Sequence, residues 1–318
     1  MIDYTFEMYF FTSIMRVNTW LVRFLDILPQ DVVWIFSKRY IAGKELKDAI
    51  SVTRKLNSIG AKASMDLLGE FQTRSEKVQY YKEEYIRLIE SSVENGLDNS
   101  FSVKPSMFGL LLDENQCYSN IRDIVAKAAS LDRCVRIDME DSQCTDRELE
   151  IYKKLLEEFP GHVGIVLQAY LKRTLDDLKD LVKFDAGRGL INVRICKGIY
   201  NEPAEIAYKN KQEINQHYLE DLEFMLNNNI YAAIATHDKK LVAGAYDMIA
   251  RLNVPVNKYE FQMLYGVTPE LRKSIIDKGH TMRIYVPYGK DWYNYSTRRL
   301  RENPRMVTHI IKALFFRG

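Results

Sequence analysis

Metal-type cysteine spacing is missing from this 318-residue chain: its four cysteines, Cys117, Cys134, Cys144 and Cys196, form no CxxC pair and no Cys/His cluster. So few thiols in a chain this size point to reduced cysteines in a cytosol, so neither a disulfide nor a zinc site is expected. A GxGxxG fingerprint is also lacking, which argues against a dinucleotide site of the doubly wound type. Net charge is close to balance at +2, so whole-chain electrostatics do not suggest a nucleic-acid binder. Long apolar runs are absent as well. The first 30 residues are rich in apolar side chains, but Glu7, Arg16, Arg23 and Asp26 interrupt every window long enough to span a bilayer. Asp3 and the lack of a small-residue cleavage site argue against a secretory signal, so a cytoplasmic location is expected. No Pro-, Ser- or Gly-rich stretch is long enough to be a linker between domains.

What is present is the ordinary balance of a globular protein, 47% apolar and 28% charged. From residue 61 onward, short β-branched and aliphatic runs alternate with longer amphipathic segments, the pattern of repeated strand and crossover helix. Candidate strands are 64–68, 101–105, 133–138, 163–168, 191–196, 231–236, 259–263 and 283–287. This spacing predicts an α/β fold, a distorted (β/α)8 barrel over 61–290. An N-terminal helical arm over 1–60 and C-terminal helices over 291–318 complete the chain; an open doubly wound sheet is the alternative. Between the first two strands, Val78, Tyr81, Tyr85, Leu88, Ile89 and Val93 follow the 3.6 period of a helix over 77–95 that stops at Asn95 and Gly96.

Distinctive polar residues fall at the C-terminal ends of these strands, where such a barrel keeps its active site. Glu70 follows the first, and Lys104, Asp138 and Gln168 end the next three. Arg194 and Lys197 close the fifth, Thr236 and His237 the sixth, and Tyr285 lies near the end of the eighth. Beyond them, Tyr295, Arg298, Arg299 and Glu302 are spaced i, i+3, i+4 and i+7, one side of a helix that starts near Asp291. Paired guanidinium groups can grip a carboxylate; a solvated basic face paired with Glu302 is the plainer alternative.

The segments DLLGE (66–70), VK (103–104), IDMED (137–141), VLQAYL (166–171), VRICKGIY (193–200), ATHD (235–238), YEFQMLYG (259–266) and RIYVPYG (283–289), followed by YSTRRLRE (295–302), resemble proline dehydrogenases in order and spacing. Nine segments in the right order are far more specific than any one alone. The resemblance covers roughly residues 30–318. It implies a monofunctional, noncovalent FAD enzyme that oxidises L-proline to pyrroline-5-carboxylate by hydride transfer to the flavin N5, passing electrons to a quinone. By the same resemblance Met139, Gln168, Arg194, Lys197, Gly198, Ile199, Thr236, His237 and Glu302 serve the flavin. Lys104, Leu264, Tyr285, Tyr295, Arg298 and Arg299 bind proline, and Asp138, Arg194 and Tyr285 stand nearest the chemistry. Gly198 would let backbone approach the cofactor, and Leu264 would supply an apolar wall.

Two departures from the family pattern stand out. Ile199 replaces the usual Ala, a conservative change, and Pro105 replaces Leu after Lys104. A proline fixes φ and removes a donor, so it bears on how Lys104 is aimed. Methylenetetrahydrofolate reductase is the strongest enzymatic alternative, although a folate enzyme has no need of the two-arginine helix; a barrel kept for binding without turnover is the other. The chain is expected to lack an aldehyde dehydrogenase domain and so to release its product to a separate pyrroline-5-carboxylate dehydrogenase. Its tail, 303–318, reads as an amphipathic helix with Met306, Val307, Ile310, Ile311, Leu314 and Phe315 on one stripe and basic flanks. Such a face suits an anionic membrane surface, while packing on the barrel or on a partner subunit is its commoner fate.

Overall fold

The computed structural model describes residues 30–302. Eight strands, β1 (Lys62–Leu67), β2 (Asn99–Val103), β3 (Val135–Ile137), β4 (Val163–Gln168), β5 (Asn192–Cys196), β6 (Tyr231–Ala235), β7 (Tyr259–Leu264) and β8 (Met282–Tyr288), close into a barrel in sequence order. Every pair is parallel, and β1 on β8 makes the closure, with Ser64 opposite Tyr285. Closure excludes the open doubly wound sheet, which would leave two edges unpaired.

Helices α1 (Gln30–Ser37) and α2 (Leu46–Asn57) precede the barrel. The crossovers are α3 (Ser75–Glu94), α4 (Glu114–Ser130), α5 (Thr145–Glu158), α6 (Thr174–Asp185), α7 (Lys211–Asn227), α8 (Lys239–Arg251) and α9 (Pro269–Asp277), and α10 (Trp292–Glu302) follows β8. The expected helix over 77–95 is α3, and Val78, Tyr81, Tyr85, Leu88 and Ile89 are buried along it as the period requires. Each such side chain removed from water contributes about 1.5–3 kcal/mol. Val93 is only half-buried; Ser92 takes the inner position instead, its hydroxyl donating to the Ile89 carbonyl at 2.9 Å.

Two strands depart from their expected bounds: β3 is shorter than 133–138, and β2 ends two residues before 105. In β3, Arg133 N is already committed to the Ala128 carbonyl at 2.9 Å, which closes the end of α4 and delays the extended backbone. In β2, Pro105 has no N–H to give a ladder and instead opens a 3₁₀ turn, Pro105–Phe108.

Side chains alternate between helix-facing and lumen-facing along each strand. Ala63 and Met65 join the apolar core, whereas Ser64 meets Ser102 at 3.0 Å within the barrel. Several lumen contacts join strands that are not neighbours, so they must cross the interior: Arg194 on β5 reaches Ser102 on β2 and Gln262 on β7. Arg136 on β3 likewise reaches Asn192 on β5 at 2.6 Å. The lumen is thus a cross-braced polar core rather than stacked aliphatic layers.

Along the C-terminal rim, beside the β8 end and the loop after β7, runs a strap of residues 38–44. Ala42 N donates to the Pro287 carbonyl at 2.9 Å and Gly289 N to the Gly43 carbonyl at 3.1 Å. Trp34 packs edge-on against Trp292 with centroids 4.7 Å apart, and Lys44 Nζ lies 4.9 Å from one ring and 5.2 Å from the other. The start of α10 is therefore docked on the N-terminal segment, with Tyr81 donating a hydrogen bond to Asp291. Gly266, at φ +76°, lies so close beneath the strap that a Cβ there would sit 1.9 Å from the Arg39 carbonyl oxygen. Gly266→Ala is therefore expected to cost about 1–3 kcal/mol, combining left-handed strain with displacement of the strap. Chemical denaturation followed by circular dichroism checks this, and wild-type stability in the variant would show that the strap yields freely.

Candidate active site

The loops leaving the strand ends enclose a cleft of about 1090 Å³, counting its open mouth. Its floor is charged. Lys104 Nζ lies 2.9 Å from Asp66 Oδ1, 3.4 Å from Asp138 Oδ2 and 3.6 Å from Glu70 Oε1, and it donates to the Tyr285 hydroxyl at 2.9 Å. That hydroxyl donates in turn to Asp138 Oδ2 at 2.8 Å, and Arg194 Nη1 donates to Asp138 Oδ1 at 2.7 Å. Two cations therefore share three carboxylates in a nearly dry site, where partners decide which groups stay charged. Burial alone would neutralise Asp138, but Arg194 and Lys104 outweigh it and hold its carboxyl below the usual range. Lys104 is likewise kept charged, because Asp66, Tyr285, Asp138 and Glu70 together outweigh its burial. Asp66 goes the other way: burial, despite Lys104, pushes it up to about 6. Burial and the adjacent Asp138 also raise the Tyr285 phenol, which stays protonated.

Nine more expected residues fall on the same cleft. Met139, Gln168, Lys197, Gly198, Ile199, Thr236, His237 and Leu264 line its walls, and Tyr295 reaches it from α10. Lys197 is met by Asp238 at 2.8 Å, so its charge is shared rather than presented bare to a ligand. His237 Nε2 accepts from Leu264 N at 2.9 Å, which puts the ring proton on Nδ1 and ties the β6 and β7 ends together. Gly198, at φ +105°, is demanded by the protein itself as well, since a Cβ there would sit 2.0 Å from the Tyr170 ring. Ile199 is among the exposed apolar side chains. Arg298, Arg299 and Glu302 belong to α10, and their side chains lie outside the described residues, as does the tail 303–318.

The substitution at Pro105 turns out to be accommodated by Ser106. Its N and Oγ donate to Glu140 at 2.8 and 2.5 Å, while its Oγ accepts from Phe71 N at 3.0 Å and its carbonyl from Gln72 N at 3.1 Å. Three loops are thus tied at one residue beside Lys104. Glu140 N donates to the buried Glu148, and Gln168 Nε2 donates to the Glu140 carbonyl at 2.9 Å. Sequence reasoning had not singled out Asp66, Ser102, Glu140, Glu148, Glu260 or Gln262. Asp66, Glu140, Glu260 and Gln262 sit within quoted motifs, and acidic or amide residues inside apolar strand runs were the available signal.

A family model described as proline dehydrogenase matches residues 49–310. The chain belongs to the proline dehydrogenase family. It is 34% identical over 278 residues to proline dehydrogenase 1 of Bacillus subtilis subsp. natto, covering 87% of this chain and 90% of that one. It is 34% identical over 294 residues to the proline dehydrogenase of Deinococcus radiodurans, covering 91% and 93%. Among solved structures, proline utilization A (PutA) from Bdellovibrio bacteriovorus, inactivated by N-propargylglycine, superposes with a TM-score of 0.79 at 27% identity, over 84% of this chain and 32% of that larger one. Family membership sets aside the folate-reductase alternative.

Glu140 gives the site a pH signature. Burial, despite the Ser106 hydrogen bonds, raises its carboxyl from 4.5 to about 7. A group raised in the folded state adds stability that is complete below its unfolded value and is lost as pH rises through its folded value. Wild type is therefore expected to lose roughly 1–3 kcal/mol between pH 5 and pH 8 that Glu140→Gln does not lose. Denaturant titrations of both proteins at the two pH values check this; parallel pH dependences would show that Glu140 stays ionised throughout.

Proposed function

We infer that this protein oxidises L-proline to pyrroline-5-carboxylate with noncovalently held FAD, the cleft above Arg194 and Tyr285 being the site. The observation that carries the reading is Tyr295: it brings α10, the helix of Arg298 and Arg299, onto the cleft floored by Lys104, Asp138, Arg194 and Tyr285. Arg298 and Arg299 would then supply a clamp for a carboxylate to a cleft that has room for a ring system.

The donor set fits a flavin. Apolar Met139, Val166 and Leu264 suit the faces of a planar ring, and Gln168, Thr236 and His237 suit its polar edges. The Arg194 guanidinium supplies a fixed positive charge where an electron-rich ring would gather negative charge. Bound FAD would supply the hydride acceptor. Arg298 and Arg299, with Tyr295, would hold the proline carboxylate, and Leu264 and the Tyr285 ring would flank the apolar edge of the pyrrolidine. Lys104 serves here chiefly to organise Asp66, Asp138 and Tyr285, because its charge is already shared among three carboxylates. Asp138, ionised and bound on both oxygens, orders the Arg194 and Tyr285 donors. Proline must lose its amine proton before a hydride can leave, and the low-dielectric cleft favours the neutral amine.

Electrons would pass to a quinone, and the product to a separate pyrroline-5-carboxylate dehydrogenase. Work at the inner face of the cytoplasmic membrane would require surface contact, since no described helix is long and apolar enough to cross a bilayer. Purified protein is expected to be yellow and to bleach on anaerobic addition of L-proline; colourless protein that FAD cannot reconstitute would sink the reading. Arg298→Met and Arg299→Met should each weaken proline binding about ten- to a hundredfold with normal FAD content. Unchanged proline affinity in both variants would refute the clamp.

A further inference from the structure

Arg194 is held by acceptors on all three of its nitrogens. Nη1 donates to Asp138 Oδ1 at 2.7 Å, Nη2 to Ser102 Oγ at 3.1 Å and Nε to Gln262 Oε1 at 2.6 Å. A guanidinium is planar and carries five N–H donors, so these bonds leave one N–H on each terminal nitrogen without a protein partner among the described residues. Those two are the ones a ligand in the cleft can use, and the plane of the group decides where they point.

Gln262 has no freedom in how it meets Arg194. Its Nε2 donates to Glu260 Oε1 at 2.6 Å, and that oxygen also accepts from Arg283 Nε at 2.7 Å. A carboxylate only accepts and a guanidinium only donates, so reversing the Gln262 amide would set donor against donor and acceptor against acceptor. Both residues are almost wholly buried, which leaves no water to repair such an error. Burial pushes the Glu260 carboxyl up, but Arg283, with Arg136 behind it, overcomes this and holds it down to about 2, so the acceptor is permanent.

We propose that Gln262, locked by Glu260, is a positioning residue that sets the guanidinium plane of Arg194 and so aims its two remaining N–H groups at the flavin. This rests on the assignment of the cleft to FAD and proline. Asp138 and Ser102 fix the two terminal nitrogens, and Gln262, holding Nε, fixes the remaining tilt of the plane about the line between them. Without the Nε acceptor the charge stays in place while the tilt of the plane is released, which alters electron transfer to the ring more than binding of either ligand.

The test measures three things in wild type, Gln262→Met, Glu260→Gln and the double variant: FAD affinity by titration of the apoprotein, flavin midpoint potential, and anaerobic reduction by saturating proline. Gln262→Leu serves as a second replacement should the methionine variant fail to fold, and circular dichroism monitors all of them. Gln262→Met is expected to lower the midpoint potential and slow reduction roughly tenfold, with FAD and proline affinities within about twofold of wild type. Glu260→Gln should move both in the same direction by less, and should add nothing in the Gln262→Met background. Additive effects would overturn the relay by showing that Glu260 acts through its own field. A Gln262 variant with wild-type potential and rate would overturn it outright while leaving the flavin reading intact, whereas a wild type that binds no FAD would sink both.

Discussion

Arg194 is the residue on which the interior depends. A single guanidinium crossing the lumen joins β5 to β2 and β7, and to Asp138 at the end of β3. A buried cation of this kind is tolerable only if its surroundings supply acceptors, since leaving one unpaired costs several kcal/mol. The acceptors come from separate strands, so closing the barrel in register and satisfying this charge are one event. The same constraint explains why the lumen carries Ser102, Gln262, Glu260, Arg283 and Arg136 where an aliphatic layer could have packed.

At the mouth, the second cation works alongside the first. Lys104 and Arg194 both reach Asp138, and Tyr285 bridges Lys104 to the same carboxylate. Charge is nearly balanced within the cluster, with burial holding Asp66 up near 6. The floor therefore presents directed hydrogen-bond donors without a large bare field. Rigid support comes from neighbouring loops: Ser106 fixes the Lys104 turn to Glu140 and to the loop after β1, and the strap over Gly266 seats the start of α10.

Much of this was legible in the chain itself. The eight strand segments, the α3 period and the gathering of Lys104, Asp138, Gln168, Arg194 and Tyr285 at strand ends follow from local pattern, because β-alternation and helical spacing are written within a few residues of each other. The polar relays were not legible. Nothing local marks Gln262 as the partner of a residue 68 positions earlier, or Glu140 as the acceptor for Ser106 34 positions before it.

Sequence by itself determined which groups would reach the mouth of the barrel, since each sits at the C-terminal end of a parallel strand and the connection geometry carries it there. It also determined the chemistry on offer, cations, carboxylates and a phenol. Only the tertiary structure decided their states and aims. Lys104 and Lys197 became partnered rather than bare cations, Gly198 answered to the Tyr170 ring, and the Pro105 turn was secured by Ser106. The physical reason is that charge state, amide orientation and guanidinium plane depend on distances across the lumen and between loops, and those exist only once eight strands have closed.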